Sequence, residues 1–104
     1  MTYEELAQYF KVLADRNRLE IIDVLSCGEL CACDLLAHFD FSQPTLSHHM
    51  KMLVESGIVS TYKTGNRRMY HIESTVLKQV QSSLNLLNTS NERCICKDIK
   101  MGEC

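Results

Sequence analysis

The chain has 104 residues, 45% of them hydrophobic and 23% charged, with a formal net charge of -2, the profile of an ordinary globular domain long enough to bury a core without disulfides. A slightly acidic whole gives no global attraction to nucleic acid, so any such partner has to be found in local charge. No apolar run approaches the roughly 20 residues of a membrane span, and the acidic start lacks the apolar core of a signal peptide, so no membrane partner is expected and the expected location is the cytoplasm.

Thr2 with Glu5 three residues later is a capping-box pattern, and Tyr3, Leu6, Phe10 and Leu13 recur at helical spacing, which predicts a helix from Tyr3 to Leu13. Asp15 can cap a second helix, whose apolar stripe is Leu19, Ile22 and Leu25, widened by Ile21. Gly28 is its stop, with Cys27 in the helix end. A short third helix is expected from Cys31 to Phe39, facing inward with Leu35, Leu36 and Phe39. Asp40 and Phe41 form a turn. Ser42 caps a fourth helix that tolerates Pro44 in its first turn. Its buried face is Leu46, Met50, Leu53 and Val54, and Gly57 ends it. The period then becomes alternating over Val59–Lys63 and Arg68–Ile72, with Gly65-Asn66 between them, a β-hairpin. A last helix starts near Ser74, with Leu77, Val80, Leu84 and Leu87 forming a seam.

This order predicts a mainly α protein with a small β-hairpin, a dimeric winged helix-turn-helix. Residues 1–90 form the DNA-binding and dimerisation domain, and 91–104 a tail bearing Cys94, Cys96 and Cys104. Such a unit places its second helix in the major groove of double-stranded DNA. Ser42, Gln43, Thr45, Ser47, His48, His49 and Lys51 on the fourth helix, with Lys63, Arg67 and Arg68 on a hairpin that has no acid, are the candidate DNA contacts. Adjacent on a helix, His48 and His49 point about 100° apart and do not readily share an ion, which favours surface or DNA contact. His38 and His71 are isolated, and the methionines fit core packing. A homodimer is expected through Leu6 and Phe10 of the first helix and Leu77, Val80, Leu84 and Leu87 of the last, since a symmetric operator needs two recognition helices. No nucleophile–base pair or phosphate loop is present, so no enzyme activity is expected.

Six cysteines in a reducing compartment read as metal-binding or redox-active. Cys31 and Cys33 stand at a helix start, where thiolates are favoured, and paired thiolates suit thiophilic ions. If both grip one ion, the first helical turn is expected to distort, because residues i and i+2 do not share a face. Cys94-Ile95-Cys96 repeats the spacing.

Three segments then carry a family resemblance. Leu13-Ala14-Asp15-Arg16-Asn17-Arg18-Leu19-Glu20-Ile21-Ile22, Glu29-Leu30-Cys31-Ala32-Cys33-Asp34-Leu35, and Ser42-Gln43-Pro44-Thr45-Leu46-Ser47-His48-His49-Met50-Lys51 resemble the second-helix motif, the metal box and the recognition helix of the ArsR/SmtB winged-helix metalloregulatory repressors. Within that family the likeness is to the arsenic-resistance repressors. Arg16 stands where a proline is usual, and Leu36 where some members carry a third cysteine. The resemblance implies a homodimeric repressor of a resistance operon, with no resident cofactor, that leaves its operator when As(III) or Sb(III) binds cysteine thiolates. Cys31 and Cys33 are the expected ligands, and Cys94, Cys96 or Cys27 the candidates for a third. The rival readings are a same-fold repressor sensing cadmium, lead or zinc, a thiol redox-sensing repressor, and a metal-sequestering protein without DNA targets.

Overall fold

The computed structural model describes residues 1–87. The expected tail, with Cys94, Cys96 and Cys104, lies outside them. Helix α1 (Tyr3–Leu13) begins where the Thr2 hydroxyl accepts the backbone N–H of Glu5 at 3.1 Å. Helix α2 (Arg16–Leu25) begins where the Asp15 carboxylate accepts the N–H groups of Asn17 and Arg18 at 2.8 and 3.1 Å. Both side chains occupy donors that a helix start otherwise leaves unpaired.

A two-residue strand β1 (Leu30–Cys31) follows, and only then helix α3 (Ala32–His38). The expected helix start at Cys31 is therefore corrected: Cys31 has extended geometry, φ -85° and ψ 163°, and is the residue that caps α3. Helix α4 (Gln43–Glu55) starts at Ser42, whose Oγ accepts the N–H of Thr45, with Pro44 in the first turn. Gly57, at φ 84°, turns the chain out of α4 in a conformation that side chains resist. Strands β2 (Val59–Thr64) and β3 (Arg67–Ile72) form the hairpin, pairing from Val59↔Ile72 to Thr64↔Arg67. Strand β1 adds to the other edge of β3, with Leu30 opposite Tyr70 and Cys31 opposite Met69, so the antiparallel order is β1-β3-β2. Helix α5 (Ser74–Leu87) closes the described chain.

Ile21, Leu25, Leu35, Leu46, Met50, Leu53, Ile58, Val59 and Tyr70 form one core where α2, α3 and α4 meet the sheet. Each fully buried Leu or Ile contributes roughly 1.5–3 kcal/mol. Three expectations are corrected here. Leu19 is 52% exposed, and the inner face of α2 is Arg18, Ile21 and Leu25. Leu6 and Val80, assigned to a dimer interface, are 5% and 4% exposed within the protomer, where α1 already packs on α5. Leu77 leans partly on the core. The apolar side chains left outside on these helices include Tyr3, Phe10, Leu84 and Leu87.

Candidate thiol site and nucleic-acid interface

Cys31 is fully buried and Cys33 is exposed. Because Cys31 is extended and precedes the helix, its side chain swings toward that of Cys33. The two Sγ atoms meet as a disulfide across a Cα–Cα distance of 5.3 Å. The sulfurs converge with α3 formed, Cys31 standing just before the helix and Cys33 in its first turn. The cap is reciprocal: Cys31 Sγ accepts the N–H of Asp34 at 3.3 Å, and Asp34 Oδ2 accepts the N–H of Cys31 at 3.1 Å. This is a capping box with sulfur in the place of a hydroxyl. One ligand atom from each of Cys31, Cys33 and Asp34 lies within 4.8 Å of the others, a soft pair with a hard oxygen beside it. Asp34 was not among the expected site residues, although the Cys-x-x-Asp spacing is that of a capping box and could have signalled it. Cys27 is exposed and has no disulfide partner among the described residues.

The thiol box is built into the same sheet as the basic hairpin. Cys31 is strand-paired with Met69 of β3, the strand that begins with Arg67 and Arg68. Glu29, first residue of the box, accepts a hydrogen bond from the Tyr62 hydroxyl of β2, which holds that phenol above its ordinary pKa. At the other end of α3, Phe39 stacks on Phe41 with ring centroids 4.9 Å apart and planes 6° apart, and Phe41 leans on His49 of α4.

The candidate DNA contacts divide into two groups. Ser42, Gln43, Thr45, Ser47, His48 and Lys51 are exposed, with the Ser42 hydroxyl also serving as cap and Lys51 lying 3.9 Å from Glu55. Lys63, Arg67 and Arg68 are exposed at the hairpin tip, with Lys63 directly opposite Arg68 in the ladder. Like charges so placed destabilise a hairpin, and a polyanion laid along it relieves the repulsion. His49 does not belong with them. It is 7% exposed, with its ring between Phe41 and the Arg18 guanidinium, so the expectation that it is a surface or DNA-contacting residue is corrected. Burial holds its imidazole below the ordinary histidine pKa, aided by the nearby charges of Arg18 and His48 and opposed by Asp15.

Two short helices, a helix with a polar exposed face and a basic hairpin define a winged helix-turn-helix regulator of the DNA-binding kind. Residues 15–61 match the bacterial regulatory protein family known as the arsR family. Over 104 residues, 100% of both chains, the sequence is 57% identical to the arsenical resistance operon repressor of Staphylococcus aureus. An ArsR-like transcriptional regulator from Rhodococcus sp. RHA1 superposes with a TM-score of 0.74 at 27% identity, over 83% of this chain and 81% of that one. A homodimeric winged helix-turn-helix DNA-binding domain from Mycobacterium bovis superposes with a TM-score of 0.64 at 25% identity, over 86% and 89%. The chain belongs to the arsR family of bacterial transcriptional regulators.

Proposed function

We propose that this regulator represses an arsenic-resistance operon as a homodimer in the cytoplasm, and that As(III) or Sb(III) bound by Cys31 and Cys33 releases it from operator DNA. The observation that carries this reading is the convergence of the two sulfurs on a cap residue that is itself a rung of the wing's sheet.

Bound to operator, α4 lies in the major groove and the Lys63, Arg67 and Arg68 tip reaches flanking phosphates. In the reduced chain Cys31 and Cys33 supply two thiolates to one pyramidal As(III) centre. The third donor comes from Cys94 or Cys96 of the tail or from Cys27, with the Asp34 carboxylate already alongside. Because Cys31 Sγ is also the cap of α3, an ion that repositions this sulfur would shift the first turn of α3. That change passes to β3 through the Cys31–Met69 pairing and to α4 through Phe39 and Phe41. Arsenite then favours a conformation that fits DNA less well, and by linkage operator DNA weakens arsenite binding by the same factor.

The pairing of Cys31 with Cys33 as a disulfide supports a second reading, release by thiol oxidation. Peroxide would then dissociate the operator complex, a thiol reductant would restore it, and arsenite would leave it intact. The test between the readings is an operator gel shift with protein that has been reduced and then freed of reductant, challenged separately with arsenite and with peroxide: release by arsenite supports the first, and release by peroxide alone supports the second.

A further inference from the structure

The two buried polar residues among those described, Arg18 at 9% exposure and His49 at 7%, touch each other. The Arg18 guanidinium donates from Nε to the Val12 carbonyl at the end of α1 at 2.5 Å. Its Nη1 lies 3.3 Å from His49 Nδ1 and 3.8 Å from the Asp15 carboxylate that caps α2. One side chain thus ties α1, the start of α2 and the middle of α4 together. A guanidinium can only donate, so His49 Nδ1 must accept and the ring must carry its single proton on Nε2. The charged and titratable groups facing His49 are Arg18 and Asp15 from α2 and His48 on its own helix. The Phe41 ring covers it from the segment before α4.

We propose that His49 is a positioning residue for DNA binding: unprotonated, it locks the recognition helix to α2 through Arg18, and proton uptake frees that helix and weakens operator binding. The proposal rests on the reading of α4 as the recognition helix. An imidazolium loses the acceptor that Arg18 needs and sets two cations side by side, a repulsion that Asp15 offsets only in part. His48, exposed on the DNA side, has the opposite sign, because its protonation adds attraction to phosphate. The two effects must be separated, and a comparison at residue 49 alone does so.

The experiment measures affinity of the full chain for a labelled duplex of the DNA upstream of its own gene, from about pH 8 down to about pH 5. The forms compared are wild type, His49→Gln and His49→Leu. The Gln amide oxygen accepts from Arg18 without titrating, so His49→Gln binds close to wild type at the alkaline end. Below the His49 titration the wild type falls behind the Gln variant by up to about tenfold per pH unit for each protomer in the complex. His49→Leu, with no acceptor, binds weakly throughout. In parallel, NMR follows the imidazole of wild-type His49, and duplex must lower its titration midpoint by the same factor. A wild-type to Gln affinity ratio that stays flat with pH, or a His49 midpoint unmoved by duplex, would overturn the proposal alone. Failure of every form to bind the duplex at any pH would overturn the reading of α4 together with it.

Discussion

Cys31 holds two positions at once, as a sulfur donor beside Cys33 and as the cap of α3. Serine preserves the cap, since a hydroxyl accepts the Asp34 N–H at least as well as sulfur, but offers no thiolate. Alanine preserves neither. Cys31→Ser should therefore unfold in urea near the wild-type midpoint, while Cys31→Ala should lose about 0.5–2 kcal/mol. Equal stability of the two variants would show that the sulfur cap contributes nothing. Two of the groups that contribute to the acid limit of stability are His49 and Asp15. His49 titrates below its ordinary range because of burial, and Asp15 below its own chiefly because it accepts the Arg18 N–H. In both, the unfolded chain binds the proton more readily than the folded one, so stability rises with pH across each window. The His49 contribution is complete above about pH 6.5 and is lost as pH falls toward its folded value. That of Asp15 is lost below about pH 4. Urea midpoints measured against pH should show both declines, and His49→Gln should remove only the upper one. At this scale the thiol pair was legible because C-x-C is explicit in the chain. The Arg18–His49 contact was not, because a buried polar pair thirty-one residues apart leaves no trace in hydrophobic periodicity.

Among the elements, those with a long period were legible. Helix α1 spans Tyr3–Leu13 and α5 starts at Ser74, as the caps and apolar spacing required, and the hairpin strands differ from expectation by single residues at their ends. Strand β1 was missed because two residues are too few to alternate, and its existence depends on β3, which lies far along the chain. On α2, Ile21 and Leu25 are buried and Ile22 packs on the core as expected, but Leu19 is exposed and Arg18 takes the inner position, buried through its hydrogen bonds rather than its hydrophobicity. The wing is the element whose function can be isolated most cleanly. Arg67 and Arg68 are exposed and form no ion pair in the described structure, so truncating them should spare the fold. Arg67→Ala and Arg68→Ala should each weaken operator binding and reduce the slope of log affinity against log salt by about one. Unchanged affinity and slope in both would remove the wing from the interface.

For the whole molecule, one protomer carries one recognition helix, and a two-fold operator requires two. Tyr3 at 54%, Leu84 at 52% and Leu87 at 53% exposure, with Phe10 at 36%, leave apolar surface outside on the α1 and α5 helices. A second copy of the chain is the proposed cover. Leu84→Asp should give monomers in sedimentation velocity and abolish operator binding while leaving helix content intact. A wild-type monomer that binds operator tightly would refute the dimer. Burial of Leu6 and Val80 inside the protomer narrows this interface relative to the sequence expectation, because a seam read from spacing alone does not say which of its members face inward.

The Cys31–Cys33 pair is proposed to convert arsenite binding into operator release. The most direct test is the fluorescence anisotropy of a labelled operator duplex, saturated with reduced protein and titrated with arsenite. The wild type should release the duplex. The Cys31→Ser, Cys33→Ser double variant should bind it with wild-type affinity and retain it at every arsenite concentration, and deletion of the chain from Cys94 onward should weaken release without removing it. Release of the double variant by arsenite at wild-type concentrations would contradict the account and move the inducer site to the tail.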